Sequence, residues 1–495
     1  MTTSDHADLG DRFGEPDEEF RRPPGPPGRP PISNVWVYNG RAYDLSDWIS
    51  RHPGGEFFIG RTKNRDITSI IGSYHREPER IERMLQRYSL DRRAVPEDIH
   101  PKNNAPDFLF IEGFDSWRDT PKYDFSDPGD LLHRIKAKLK EPAVAARIAR
   151  MDRLFDIVAV LLVIAYFAVQ GLRLTVPAWI PLPLFVLAMV VLRSSLAGFG
   201  HYAIHRAQKG MNKVFTNSFD LNYVALSFVT ADGHALLHHP HTQSEVDIKK
   251  NVFTMMMQIP RLYRIPVHTV HKFGHTVTGM TIRLLDVVRL TRKVGVKEMY
   301  GTMGGALPHF LGSFGVRFLL VAELVVFIAA GDFWAWALQF VVTLWISTFL
   351  VVASHDFDVH TDDLPGSDTE DWAVHQLEQA YDLTVVGNRY IDCFLSAGLA
   401  PHRVHHVLPY QRSGFANIAA EDIVREEAAE SGVAWLPPKS FLTDRFPALC
   451  RIYLFSRSRE AAERDWGPIR EHLAPAAWKT CAVYMVQGFT GIGTV

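Results

Sequence analysis

Four apolar stretches in two pairs constrain this chain more than any other feature. They cover residues 154–171, 179–197, 316–330 and 333–353. A helix needs about 20 apolar residues to cross the hydrocarbon of a bilayer. The second and fourth stretches meet that need, the first nearly does, and the third is short and carries Glu323. Short connections at 172–178 and around Gly331-Asp332 join the members of each pair, so the short stretch is read as one arm of a hairpin. Between the hairpins, residues 200–315 hold thirteen Lys and Arg, against Arg173 alone in the two connections. Basic loops stay on the cytosolic side, which places this segment and both termini there. An integral, multi-pass membrane protein is expected, in the endoplasmic reticulum of a eukaryote or the plasma membrane of a bacterium.

Length and charge narrow the rest. A chain of 495 residues with a hydrophobic fraction of 47% supplies more than one domain. Its net charge of -2 shows no basic excess, so nucleic acid is not an expected partner. Cys393, Cys450 and Cys481 stand far apart, which excludes a disulfide framework and cysteine-ligated zinc. The N-terminus is acidic and polar without a secretory pattern, and Arg21–Pro31 reads RRPPGPPGRPP, so residues 1–31 are expected to be a disordered, solvated tail. Residues 32–95 alternate short β-branched and aromatic runs with Asn39-Gly40 and Pro53-Gly54-Gly55, followed by an amphipathic stretch, the pattern of a small α+β domain. Residues 96–150 form a linker that ends in a basic amphipathic helix with Lys136, Lys138, Lys140, Arg147 and Arg150. Such a helix suits an anionic membrane surface, and equally an ordinary solvated face. A membrane domain follows over 151–410, and residues 411–495 read as a cytosolic lobe without a further span.

Histidine carries the chemistry. His201 and His205 stand in HYAIH, His234, His238 and His239 in HALLHH, and His402, His405 and His406 in HRVHH. Residues i and i+4 project from one helix face, which pairs His201 with His205, His234 with His238, and His402 with His405 or His406. Imidazole suits iron, and open positions on the metal suit oxygen activation. All three clusters fall at the expected cytosolic edge of the spans, an agreement that chance does not require. A single H-x-x-x-H is weak by itself: His271 and His275 repeat the spacing and are read as a decoy, with His241 and His268 as interfacial or supporting residues.

Over residues 154–410 these clusters resemble the histidine boxes of the membrane fatty-acid desaturase and hydroxylase superfamily. The runs SHDFDVH, DWAVHQLEQAYDL and GLAPHRVHHVLPY resemble front-end desaturases in particular. The resemblance implies a mainly α fold, a four-helix membrane domain with a cytosolic helical cap, holding two iron ions through the box histidines. It also implies a further ligand between the second and third boxes, for which His375 is the first candidate and His355 the competing one. Two departures are visible. His402 stands where front-end desaturases usually have Gln, and Ala235, Leu236 and Leu237 widen the second box by one residue. Related alkane-type hydroxylases share that combination, so desaturation of an acyl lipid and hydroxylation of a lipid or alkyl chain both remain open.

The segment VWVYNGRAYDLSDWISRHPGGEFFIG is similar to the cytochrome b5 family. His52 matches the axial ligand of its HPGG motif and His75 the second one, which implies bound haem b. Closing both axial positions leaves no place for oxygen, so such a haem passes electrons only. Together the resemblances imply an oxidoreductase that takes electrons from an NAD(P)H-dependent cytochrome b5 reductase or an equivalent donor, with dioxygen as co-substrate and a lipid acyl chain as substrate. The first two apolar stretches and residues 219–230 are the expected acyl channel.

Overall fold

The computed structural model describes residues 34–99, 123–208, 211–226, 231–244, 247, 256–301, 303–312, 314–355 and 369–491. The proline-rich tail and residues 227–230 of the expected acyl channel lie outside that set.

Strands β1 (Trp36–Tyr38), β2 (Arg41–Tyr43) and β3 (Ser89–Arg93) form an antiparallel sheet in that order. Asn39 and Gly40 join the first two at φ values of 46° and 67°. Two residues at positive φ match the right-handed twist of the strands they connect. Helices α1 (Glu56–Arg61), α2 (Thr68–Tyr74) and α3 (Pro78–Leu85) complete the unit. Trp36, Tyr43, Ile49, Ile67, Ile71 and Leu85 form its core, and Leu290, Val294 and Met299, from far along the chain, pack into the same cluster.

The basic segment 131–150 does not form one helix. It divides into α4 (Leu131–Leu139) and the start of α5 (Pro142–Thr175), because Pro142 opens a new helix at a position where its missing N–H is harmless. The apolar face of α4 is turned inward: Leu131, Leu132 and Ile135 pack with Trp372, Val404 and Ala416. Protein, not lipid, covers that face. The 34 residues of α5 extend about 51 Å at 1.5 Å each, well beyond the bilayer hydrocarbon.

Next come α6 (Leu182–Ile204), α7 (Arg264–Val294), α8 (Gly315–Ala329) and α9 (Phe333–Ala353). Among the described residues, three helices are long and apolar enough to cross a membrane: α5, α6 and α9. The expected fourth, α8, has 15 residues and falls short. Ile157, Val160, Leu161, Ile164 and Phe167 expose an apolar face along α5, as lipid contact requires. Trp179 and Trp334, in or beside the two hairpin connections, are 71% and 76% exposed, the placement of aromatic residues at a bilayer interface.

Glu323 of α8 ties this bundle together. It accepts from Arg193 of α6 at 2.5 Å and from Gln170 of α5 at 3.1 Å, and it bonds the Tyr166 hydroxyl of α5. The guanidinium of Arg193 also lies over the Tyr166 and Tyr223 rings. An acidic residue in an apolar stretch is tolerated when paired in this way. Glu323→Ala leaves the buried Arg193 cation uncompensated and is expected to cost about 3–5 kcal/mol. The check is the thermal unfolding midpoint of detergent-solubilised protein; an unchanged midpoint would remove this role.

Beyond these lie α10 (Trp372–Glu378), α11 (His402–Val407), α12 (Gly414–Glu430) and α13 (Pro475–Thr490). The region from 411 onward does not stand apart as a lobe. Phe441, Leu449 and Tyr453 pack against Phe349 and Leu350 of α9, Ala416 and Ala420 of α12 share the α4 cluster, and α13 lies along α7.

Candidate metal centre and haem site

His201 lies in the last turn of α6 and His205 follows it; His355 follows the end of α9. Both helices therefore end at the same place. His234 and His238 lie on the segment Ala231–His238, which is wound as a π-helix, and His239 directly follows it, its N–H bonded to the His234 carbonyl at 3.1 Å. His402, His405 and His406 come from α11. All nine are buried.

The side chains divide into two adjoining groups. His201, His205, His234, His239 and His405 offer ligand nitrogens within 4.8 Å of one another, and so do His238, His355 and His406. His402 joins the second group, its Nε2 3.2 Å from that of His406 and its ring 4.7 Å from His355. The His239 and His406 rings, stacked at 4.3 Å, connect the groups.

The donor spacing fits metal. With metal–imidazole bonds of about 2 Å, ligands at right angles place their nitrogens about 3 Å apart. His201 and His234 approach at 2.7 Å through Nε2, His201 and His405 at 3.1 Å, and His234 and His239 at 3.2 Å. His239 and His406 are held well below the usual imidazole range, by burial first and by neighbouring imidazoles second. Neutral imidazole is the form that binds metal.

The partition differs from i and i+4 pairing. His234 is grouped with His239 and not His238, because the π-helical turn brings positions five apart onto one side. In α11 the i+4 pair His402 and His406 stays together, and His405 turns to the other group. His375, the first candidate for the additional ligand, is in neither group. Its Nε2 is 2.8 Å from the Thr242 carbonyl and its ring lies on Tyr123. His355, the competing candidate, is the one brought in.

Partners that local spacing did not reveal hold these rings. His238 donates through Nδ1 to Asp247 at 2.8 Å, and His406 Nδ1 meets the side-chain Oε1 of Gln376 at 2.9 Å. The Thr242 hydroxyl donates to that same oxygen at 2.7 Å. His355 Nδ1 donates to the Gln379 carbonyl at 2.8 Å. Occupied Nδ1 atoms leave Nε2 as the nitrogen that a metal would take and hold the ring's tautomer. Asp247 has no motif to mark it; Gln376 had only its place beside His375. Of the decoy pair, His271 bonds the Tyr484 carbonyl of α13 at 2.6 Å and lies beside the His275 ring at 4.4 Å, while His268, read as a supporting residue, meets the Tyr484 hydroxyl at 2.8 Å.

In the N-terminal unit His52 follows a short 3-10 helix and His75 caps α2. Their ring centres lie 6.4 Å apart, a gap that two metal–imidazole bonds of about 2 Å each largely fill. His52 Nδ1 donates to the Gly55 carbonyl at 3.0 Å and His75 Nδ1 to that of Ile71 at 3.2 Å, so both direct Nε2 elsewhere. A Cβ on Gly54 would lie 2.7 Å from the His52 ring, and Gly55 adopts a φ of 100°; the motif needs glycine at both. Burial first, and His52 second, push His75 down to about 4, which keeps it neutral.

Comparison with known proteins identifies the family. Residues 177–438 match the family model "Fatty acid desaturase", and residues 32–91 match "Cytochrome b5-like Heme/Steroid binding domain". Similar proteins include "Probable Delta(5) fatty acid desaturase C" of Dictyostelium discoideum, 23% identical across 76% of this chain and 82% of the relative. "Acyl-lipid (7-3)-desaturase, chloroplastic" of Chlamydomonas reinhardtii is 25% identical across 80% and 75%. "Cytochrome b5-related protein" of Drosophila melanogaster is 22% identical across 76% and 78%. No solved structure matches. The chain belongs to the fatty acid desaturase family of membrane oxidoreductases, with a cytochrome b5-like domain fused at its N-terminal side.

Proposed function

We propose that the protein introduces a double bond into a fatty-acyl lipid at a di-iron centre, consuming dioxygen, with electrons relayed by haem b in its own N-terminal domain. The observation that carries this reading is the meeting of nine buried histidines, in groups of five and four, at the shared end of two apolar helices. The iron pair supplies oxygen activation and hydrogen removal from an unactivated methylene, and the haem supplies electrons one at a time. His201, His205, His234, His239 and His405 hold one iron; His238, His355, His402 and His406 hold the other. Asp247 and Gln376 orient His238 and His406 through Nδ1. His52 and His75 would hold the haem, and with two histidines engaged the haem would supply electrons and leave oxygen chemistry to the histidine groups. Burial of the nine histidines of the two groups would keep water from a carbon reacting beside them.

The proposed membrane arrangement has α5, α6 and α9 spanning and α8 inserted beside α9, with both termini and the site on the cytosolic side. It rests on the common end of α6 and α9 and on the basic excess of 200–315. An NAD(P)H-dependent reductase is the proposed donor. The reaction removes two hydrogens from the acyl chain, and dioxygen leaves as two waters with two electrons and two protons added. Lipid profiling of cells expressing the protein tests it: acyl products two hydrogens lighter are expected. A gain of one oxygen in place of that loss would assign hydroxylation, the alternative that His402 and the widened second box leave open.

A further inference from the structure

We propose that Tyr74 is the junction through which electrons pass from the haem domain to the iron site, by way of its hydroxyl bond to His205. This rests on the proposed haem and di-iron reading and adds the route between them. Tyr74 is the last residue of α2 and directly precedes His75. Its hydroxyl is 2.7 Å from His205 Nδ1, and the two rings lie nearly parallel, 19° apart, with centres at 5.9 Å. His205 is a member of the five-histidine group, its ring 4.5 Å from His239 and 4.8 Å from His234 and His405. One residue of the haem domain thus touches a side chain of the metal centre and is bonded to a haem ligand.

The docking around it is built to last. The Gln208 N–H donates to the Gly54 carbonyl at 2.7 Å, and a Cβ on Gly55 would meet the Gln208 carbonyl oxygen at 2.9 Å. Lys136 Nζ donates to the Gly72 and His75 carbonyls, each at 2.8 Å. Lys213 pairs with Glu56 at 2.7 Å, and Arg61 with Asp286, which also holds Arg283. Phe57, Ile204, Phe219 and Leu236 form an apolar cluster around Tyr74. These contacts argue for a domain seated at the site, not one that visits on a tether. In each transfer Tyr74 conducts one electron: the haem iron goes from ferrous to ferric and one iron of the pair from ferric to ferrous. No bond to Tyr74 forms or breaks.

The test uses full-length protein loaded with haem and iron, reduced with stoichiometric dithionite, then mixed with oxygenated buffer in a stopped-flow instrument. Reoxidation of the haem is followed at its Soret band. Tyr74→Phe keeps the ring and removes the hydroxyl. Reoxidation is expected to slow about 10- to 100-fold, the range for losing a partner of a metal-bound histidine, with iron content and haem bands unchanged. Reoxidation at the unmodified rate overturns the junction, and so does loss of iron or haem, which would make Tyr74 a support for His205 alone. Iron-depleted His238→Ala protein separates the two readings. If its haem reoxidises as fast as that of the intact protein, the relay and the junction both fall. If it is slow while Tyr74→Phe is normal, only the junction does.

Discussion

His238→Ala is expected to remove bound iron and acyl desaturation together, with product falling by more than about 100-fold, beyond the loss typical of an outer partner. His238 is buried in the four-histidine group, its ring 4.7 Å from His355 and 4.9 Å from His406. Removing it leaves that group three nitrogens and opens the second proposed metal position. A folding defect is separated from ligand loss by Asp247→Asn, which preserves shape and weakens the bonds that its carboxylate accepts from His238 Nδ1 and the Gln243 N–H; activity there should fall about 10- to 100-fold. Iron per protein by atomic emission and product by mass spectrometry are the measurements. Retention of both in His238→Ala would sink the metal assignment.

His52→Ala is expected to abolish the reduced b-type absorption bands. His75 cannot replace it, since a low-spin haem of this kind needs two axial nitrogens, and His52 and His75 are the two histidines within residues 34–99, their ring centres 6.4 Å apart. Iron at the histidine groups should stay, because His52 belongs to neither of them. Desaturation driven by NADH and a reductase should stop. Normal bands in the variant would overturn the haem assignment.

Much of the site was legible before any coordinates, for a local reason. HPGG with a second histidine 23 residues on, and three histidine clusters at the ends of apolar runs, are short-range patterns written in adjacent residues. The family matches at 32–91 and 177–438 fall on those same patterns. Four features were not legible. The sorting of His234 and His238 into different groups depends on a π-helical turn, which a rule of i and i+4 cannot see. The choice between His375 and His355 depends on which ring reaches the cluster; His375 is directed to the Thr242 carbonyl. The face of α4 read as suited to a membrane is covered by Trp372 and Val404 instead. The shortness of α8 is offset by contacts of Glu323 with two neighbouring helices.

By itself the sequence determined the chemistry available: imidazole nitrogens in two kinds of setting, glycines directly after His52 and its proline, and apolar helices that carry the site to a membrane. Tertiary structure decided how those nitrogens divide between two positions and how the haem domain meets them. The physical reason is range. Helical periodicity relates residues a turn apart, whereas Tyr74 and His205 are separated by 131 residues and meet only because two domains are packed together.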